Sequence, residues 1–217
     1  MSDITVKIEQ LSVRIDGDFN PAILNHDFLL RIKAIPEDTE PPEPTIIPVM
    51  ASLDYGKRGL GVVVDLKHFQ VSQEGDAGPG DAIRLATRYM ETLEHTPVER
   101  VSFNFFGDVL FGRAGRVADF EAWLLRDKAA LIANLSTTKL LVTIQLSYSF
   151  DEFGAIARLG PIDPEHKSMH FLSCYEKDIS KAQDIVSLLE SEAIISKIMK
   201  APGLQLRDFC IGREAGG

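Results

Sequence analysis

The sequence predicts an α+β fold in which a mixed, mainly antiparallel sheet, or a pair of such sheets, packs against three helices. Alternating polar and apolar residues, separated by turn residues, recur along the chain and are typical of strands. Three longer segments carry apolar residues at helical spacing instead. With 217 residues, 45% of them hydrophobic, the chain can bury a core without disulfides or metals. We therefore expect a single compact unit over residues 1–217.

In the first part of the chain, strands are predicted at 4–15, 28–35, 45–55 and 59–73. The first strand has a phase slip at Gln10 and Leu11, which indicates a bulge. The segment Pro36–Pro44 contains four prolines and four acidic residues, which predicts an exposed loop. The residues Gly56–Arg58 then predict a tight hairpin between the two strands that follow this loop.

The second part of the chain begins with a predicted helix from Asp81, its N-cap, to Glu94. An aromatic strand is predicted at Glu99–Phe111 and a second helix at 116–134. Three strands (139–150, 153–159 and 168–176), a helix (179–200) and a last strand (204–211) complete the prediction.

The order of these elements suggests an internal duplication. Pro97 and Pro202 each precede a predicted strand, and these strands end at Gly107 and Gly212, an offset of about 105 residues. The halves 25–112 and 138–213 then share a β-β-β-α-β order, joined by helix 116–134. Such halves would be related by a pseudo-twofold axis, with a ligand or partner site between them. The alternative is one ordinary mixed sheet with three helices on one face.

The charge balance argues against polyanionic partners. Acidic residues outnumber basic ones by 32 to 23, so the net charge of −9 repels nucleic acids and anionic membranes. No apolar run approaches the ~20 residues of a membrane-spanning helix. Cys174 and Cys210, each in a predicted strand, fit free thiols of a reducing compartment, although neighbouring strands would allow a disulfide. We therefore expect a cytoplasmic protein that binds neither nucleic acid nor membrane.

The candidate ligand-binding residues are Arg113 and Arg116. They lie between a predicted strand and a predicted helix, where backbone amides and two guanidinium groups can converge on a carboxylate or phosphate. The alternative is that these arginines pair with local acids such as Asp108 and Asp119.

No motif predicts catalysis, a cofactor or a metal ion. Gly75–Gly80 lacks the lysine of a phosphate loop and the glycine spacing of a dinucleotide site. The histidines form no helical pair at metal-ligand spacing, and no G-x-S-x-G sequence occurs. His68, beside Phe69, is expected to be half-buried and hydrogen-bonded. We therefore expect no cofactor and no metal, and the sequence identifies no catalytic residue.

The segment from Pro44 to about Asp108 resembles a family of uncharacterised conserved proteins of bacteria and archaea. In that family a β-hairpin is followed by a helix and by a strand with the pattern apolar-x-Arg-apolar-small-apolar-x-aromatic-x-Asn. Val98–Phe105 is similar to this pattern, with Ser102 at the small position, but Asn104 is displaced. The resemblance covers about a third of the chain, implies a prokaryotic protein with this architecture, and implies no reaction.

These observations favour a non-enzymatic binding or assembly protein that recognises a protein partner, a second copy or a small anionic ligand. Aromatic side chains of Ser102–Phe111 that lie outside the core would strengthen a partner interface. The alternative is a hydrolase or transferase of unrecognised type that binds an anionic substrate through Arg113 and Arg116. A deep pocket that gathers those arginines with a histidine or carboxylate would favour the enzyme.

Overall fold

The computed structural model describes residues 4–75, 80–112, 117, 119–120, 122, 142–162 and 168–211. The strands are β1 (Ile4–Gly17), β2 (Pro44–Ile47), β3 (Met50–Tyr55), β4 (Leu60–Asp65), β5 (His68–Glu74), β6 (Val98–Phe111), β7 (Val142–Phe150), β8 (Phe153–Ile162) and β9 (Ser168–Asp178). The helices with described bounds are α1 (His26–Arg31), α2 (Gly80–Thr92), α3 (Ala182–Glu190) and α4 (Glu192–Ile211), with 3-10 turns at Pro21–Ile23 and Gly56–Arg58.

All nine described strands form one antiparallel sheet in the order β2-β3-β4-β5-β1-β6-β9-β8-β7. The α+β class is therefore confirmed, whereas the mixed sheet is not, because no described pair of strands is parallel. The long strands β1 and β6 lie side by side at the centre, and their register shifts between Ile8 and Gln10. The bulge predicted near Gln10 is thus present.

Side chains alternate between an apolar inner face and an open face. On the inner face α2 packs on β5 and β1, α4 packs on β1 and β6, and α3 packs on α2 and α4. Tyr89 of α2 is fully buried and stacks on Phe69 of β5, with ring centroids 4.3 Å apart. Each large apolar side chain buried in this way contributes about 1.5–3 kcal/mol. None of these described helices packs on the open face.

Several elements agree with the sequence. Helix α2 begins at Gly80, so Asp81 lies in its first turn and is not the N-cap predicted for it. Strands β6 to β9 fall where aromatic and alternating segments predict strands. Val117 and Phe120 are helical and buried, while the rest of the predicted helix 116–134 lies mainly outside the described residues. Residues 76–79 of the glycine-rich loop also lie outside them.

The strand predicted at 28–35 is wrong, because this segment contains helix α1 and a turn. The side chain of Asn25 caps the helix by accepting a hydrogen bond of 2.8 Å from the amide of Phe28. The cap lies three residues before the apolar run, so local capping outweighed the strand-like composition.

The two strands predicted at 45–55 and 59–73 are each divided into two. A turn at Pro48 separates β2 from β3. The carboxylate of Asp65 accepts hydrogen bonds of 2.7 Å from the amides of Lys67 and His68, which turns the chain from β4 into β5. The predicted hairpin at Gly56–Arg58 is confirmed, because β3 and β4 pair across it.

The strand predicted at 204–211 is also wrong, because α4 continues to Ile211 with Pro202 inside it. Its buried residues Ile198, Ala201, Leu206 and Cys210 follow helical spacing. The helix predicted at 179–200 is in fact two helices, α3 and the start of α4, which meet at Ser191. The β-β-β-α-β repeat, as first aligned, required strands at both 28–35 and 204–211, so that alignment is wrong.

Candidate functional site

The open face of the sheet consists of the strand residues whose side chains point away from the buried inner face. Across the centre, β1 and β9 flank β6, so Phe106 lies between Gln10 and Leu172. On the inner face of the same strand Phe103 and Phe105 are fully buried, whereas Phe106 is 40% exposed. The alternation of β6 therefore separates its aromatic residues between core and surface.

An apolar patch lies on this face where β6 and β9 pair. It consists of Phe106 and Leu110 on β6 and His170 and Leu172 on β9, hereafter the Phe106 patch. Phe106 and Leu172 are directly opposite each other in the register, and each is 40% exposed. The ring of His170 stacks on that of Phe106, with centroids 6.0 Å apart and planes at 20°. The stacking of the two rings fixes the orientation of the apolar surface that Phe106 presents.

Polar groups surround the Phe106 patch. Nδ1 of His170 lies 2.7 Å from Oδ1 of Asp108, which orients the imidazole. On β8, Arg158 lies opposite Leu172 and donates to Gln145 at 2.8 Å. A depression of about 390 Å³, lined by Phe106 and by Lys7–Gln10 and Glu74 among others, adjoins the patch at the β1 bulge. An apolar centre with a polar rim is the usual anatomy of a protein interface.

A second depression of about 400 Å³ lies further along the same face, between β5 and β9. Its two arginines are both paired with acids. Nε of Arg14 lies 2.7 Å from Asp16, and Arg100 contacts Asp178 at 2.9 Å and Glu176 at 3.5 Å. Because carboxylates already neutralise these guanidinium groups, the depression offers an anion no free positive charge.

The thiol nearest to this depression, Cys174, is not activated. Burial, and then the nearby Glu176 carboxylate, raise the pKa of Cys174 above its ordinary value. Burial raises the pKa of Cys210 to about 12. Both thiols are free, because Cys174 lies on the open face of β9 whereas Cys210 lies in α4 beneath the sheet. Protonated thiols are weak nucleophiles, so neither cysteine resembles a catalytic one.

The candidate anion ligands Arg113 and Arg116 lie outside the described residues. Asp108, which the sequence suggested as a partner for these arginines, lies 2.7 Å from Nδ1 of His170. His68 is half-buried and lies 2.9 Å from Asp65, so that prediction is confirmed. In the described part of the chain, no group of three histidine, cysteine or acidic residues is placed to hold a metal ion.

The sequence analysis did not identify Leu172 or His170 as site residues. The sequence does contain a signal for Phe106 and Leu172. In the alternation of its strand, each occupies a position whose side chain points away from the buried residues. Their proximity depends on the pairing of β6 with β9, which joins segments about 65 residues apart and which no local pattern indicates.

No protein-family model matches this chain, and no curated protein is significantly similar to it. None of the helices in the described ranges is long and apolar enough to cross a membrane. The inferences about function therefore come from the geometry of the site.

Proposed function

We propose that the protein is a cytoplasmic, non-enzymatic binding protein whose open sheet face recognises a folded protein partner. The observation that supports this proposal is the Phe106 patch. Exposed aromatic residues on Ser102–Phe111 were the feature expected of a partner interface, and Phe106 has that exposure. Aromatic residues at the centre of a surface often contribute most of the binding energy.

The size of the open face supports a protein rather than a small molecule. At ~3.3 Å per residue and ~4.8 Å per strand, the five strands from β5 to β8 present about 900 Å². A standard protein interface buries ~800 Å² on each partner. The partner that fits carries an apolar side chain for the Phe106 patch and polar groups for Asp108 and Arg158 around it.

The hydrolase or transferase alternative rests on Arg113 and Arg116. No described residue adds to it, because Arg14 and Arg100 are neutralised by carboxylates and the thiol of Cys174 stays protonated. The resemblance of the segment from Pro44 to about Asp108 to a conserved prokaryotic family remains a prediction, and the geometry of the site does not bear on it.

We also infer an internal duplication with boundaries different from 25–112 and 138–213. The sheet order supports it. Strand β1 is followed by a meander of strands that ends with β5, and β5 pairs with β1. Strand β6 is likewise followed by a meander that ends with β9, and β9 pairs with β6. Each meander is followed by helices, α2 in one half and α3 with α4 in the other. In an experimental structure, a twofold rotation should superpose β3-β4-β5-β1 on β7-β8-β9-β6. Strands that fail to superpose along their lengths after that rotation would rule out the duplication.

The proposed function is tested with Phe106→Ala. The tagged wild-type protein and the variant are used to capture partners from cells, and each captured protein is then purified and titrated against both. Because truncation of a central aromatic anchor costs ~2 kcal/mol or more, the variant should bind the true partner at least ~30-fold more weakly.

The matched control is Val63→Ala. Val63 is 38% exposed on β4 of the same face, three strands from β6, and lies outside the Phe106 patch. This variant should bind the partner within about twofold of the wild type. If no purified protein distinguishes Phe106→Ala from Val63→Ala, the proposed interface is wrong.

A further inference from the structure

The two edges of the sheet differ in how they are protected. Strand β2, at one edge, has only four residues, begins at Pro44 and is followed by Pro48. Short strands and prolines are common devices that prevent an edge from pairing with other chains. Strand β7, at the other edge, has nine residues and contains no proline, lysine, arginine, aspartate or glutamate. Among the described strands it pairs only with β8.

The side of β7 that faces away from β8 presents a regular row of backbone groups. Phe150 pairs with Phe153 across the two-residue turn Asp151–Glu152. The even-numbered residues of β7 therefore direct their amides and carbonyls to β8, whereas the odd-numbered residues direct theirs outward. The side chains of those odd-numbered residues, Thr143, Gln145, Ser147 and Ser149, are uncharged and exposed on the open face.

The inner side of the same edge is apolar and incompletely covered. Ile144, Leu146 and Phe150 pack against the core but are only partly buried. A groove of about 390 Å³ continues this apolar surface from Phe150 to Ile194 and Ile198 of α4. A neighbour along β7 would therefore extend both the hydrogen-bonded sheet and the apolar layer beneath it.

We propose that β7 pairs with β7 of a second copy, antiparallel about a twofold axis perpendicular to the sheet. Identical strands meet there without repulsion because β7 carries no charge of either sign. The axis keeps the open faces on one side and the helices on the other, so the dimer has one continuous eighteen-stranded sheet. A nine-residue strand is ~30 Å long, and a sheet-plus-helix layer is ~20 Å deep, which gives ~600 Å² per copy. The resulting total of ~1,200 Å² reaches the range of specific interfaces.

The dimer is tested by native mass spectrometry and light scattering of the full chain. The wild type should have twice the mass of one chain at micromolar concentration. The variant Ser147→Lys/Ser149→Lys should dissociate at least tenfold more readily, because the twofold axis brings its lysines close to those of the second copy. The acidic variant Ser147→Glu/Ser149→Glu should dissociate for the same reason, and an equal mixture of the two variants should restore the dimer.

The control is Thr45→Lys/Ile47→Lys, which places two lysines on the open-face side of the β2 edge and should leave the dimer intact. A wild type that stays monomeric, or lysine variants of β7 that dimerise as well as the wild type, would overturn the proposal. Retained circular dichroism of every variant separates loss of pairing from loss of folding. This outcome is independent of the Phe106 patch, whose strands β9 and β6 lie two and three positions from β7.

Discussion

Gly107 is a position of β6 where only glycine fits. It lies opposite Ile8, beside the β1 bulge, and a Cβ at Gly107 would overlap the carbonyl oxygen of Lys7. The obstacle is backbone in a central strand, so it cannot rotate away. We expect Gly107→Ala to lower the free energy of unfolding by about 2–3 kcal/mol. Urea denaturation followed by circular dichroism measures this change.

The control for this prediction is Gly203→Ala in α4. A Cβ at Gly203 meets nothing within 4 Å, and alanine is the better helix former by about 1 kcal/mol. This variant should be as stable as the wild type or more stable. Equal effects of the two substitutions would show that the close approach at Gly107 is relaxed in solution.

Phe106 illustrates how far single residues could be predicted. Its phase relative to Phe103 and Phe105 already indicates the face opposite the core. Whether that face is open or covered by helices depends on the whole chain, which the local pattern does not contain. For Arg113 and Arg116 the local pattern is less informative. A loop before a helix suggests an anion site, but it does not determine the positions of the two guanidinium groups.

The side chain of Gln205 joins helix α4 to the sheet by hydrogen bonds. The hydroxyls of Tyr148 and Tyr175 both donate to Oε1 of Gln205, at 2.6 and 2.7 Å. Tyr175 is fully buried, so its hydroxyl has no access to water. We expect Gln205→Ala to lower the free energy of unfolding by about 2 kcal/mol, because the buried hydroxyl of Tyr175 and the half-buried hydroxyl of Tyr148 lose their acceptor.

The matched control is Leu204→Ala, since Leu204 is the adjacent residue and is 49% exposed. This substitution should change stability by about 0.5 kcal/mol or less. Thermal unfolding of the two variants compares them directly. If Gln205→Ala were no more destabilising than Leu204→Ala, the two tyrosine hydrogen bonds would not stabilise the attachment of α4.

The elements that sequence reasoning placed correctly are those with a strong local pattern. Helix α2 has a full apolar stripe, and β6 to β9 have regular alternation. The errors occurred at α1, where capping by Asn25 outweighs a strand-like composition, and at α4, where tertiary contacts outweigh the effect of Pro202. Pro202 normally costs ~3 kcal/mol inside a helix, so its position was taken as a helix end. Burial of Leu206 and the hydrogen bonds of Gln205 offset that cost.

The strand order is the property of the whole molecule that the sequence did not reveal. β1 pairs with β6 and β6 with β9, and these contacts join residues about 65 to 100 positions apart. Alternation specifies which face of each strand is apolar, but it does not specify the neighbouring strand. The open face and the position of β7 at the edge of the described sheet both follow from that order, so both surfaces could be identified only from the structure.

Burial of all four tyrosines makes the fold sensitive to alkaline pH. Burial raises the pKa of Tyr55 to about 12, and it also raises the pKa values of Tyr89, Tyr148 and Tyr175. The folded protein therefore holds these protons more tightly than the unfolded chain, whose tyrosines titrate near pH ~10. Their contribution to stability is complete below about pH 10 and is lost as the pH rises towards about 12.

An alkaline titration that records tyrosinate absorbance together with circular dichroism tests this expectation. Tyrosinate should appear in the same cooperative step in which the circular dichroism is lost, because the buried phenols ionise only when the chain unfolds. Protein unfolded in urea provides the reference and should titrate gradually near pH ~10. Gradual tyrosinate formation at that pH with an intact spectrum would mean that water reaches the phenols in the native fold. The helices on the inner face would then cover the sheet less completely than the described contacts indicate.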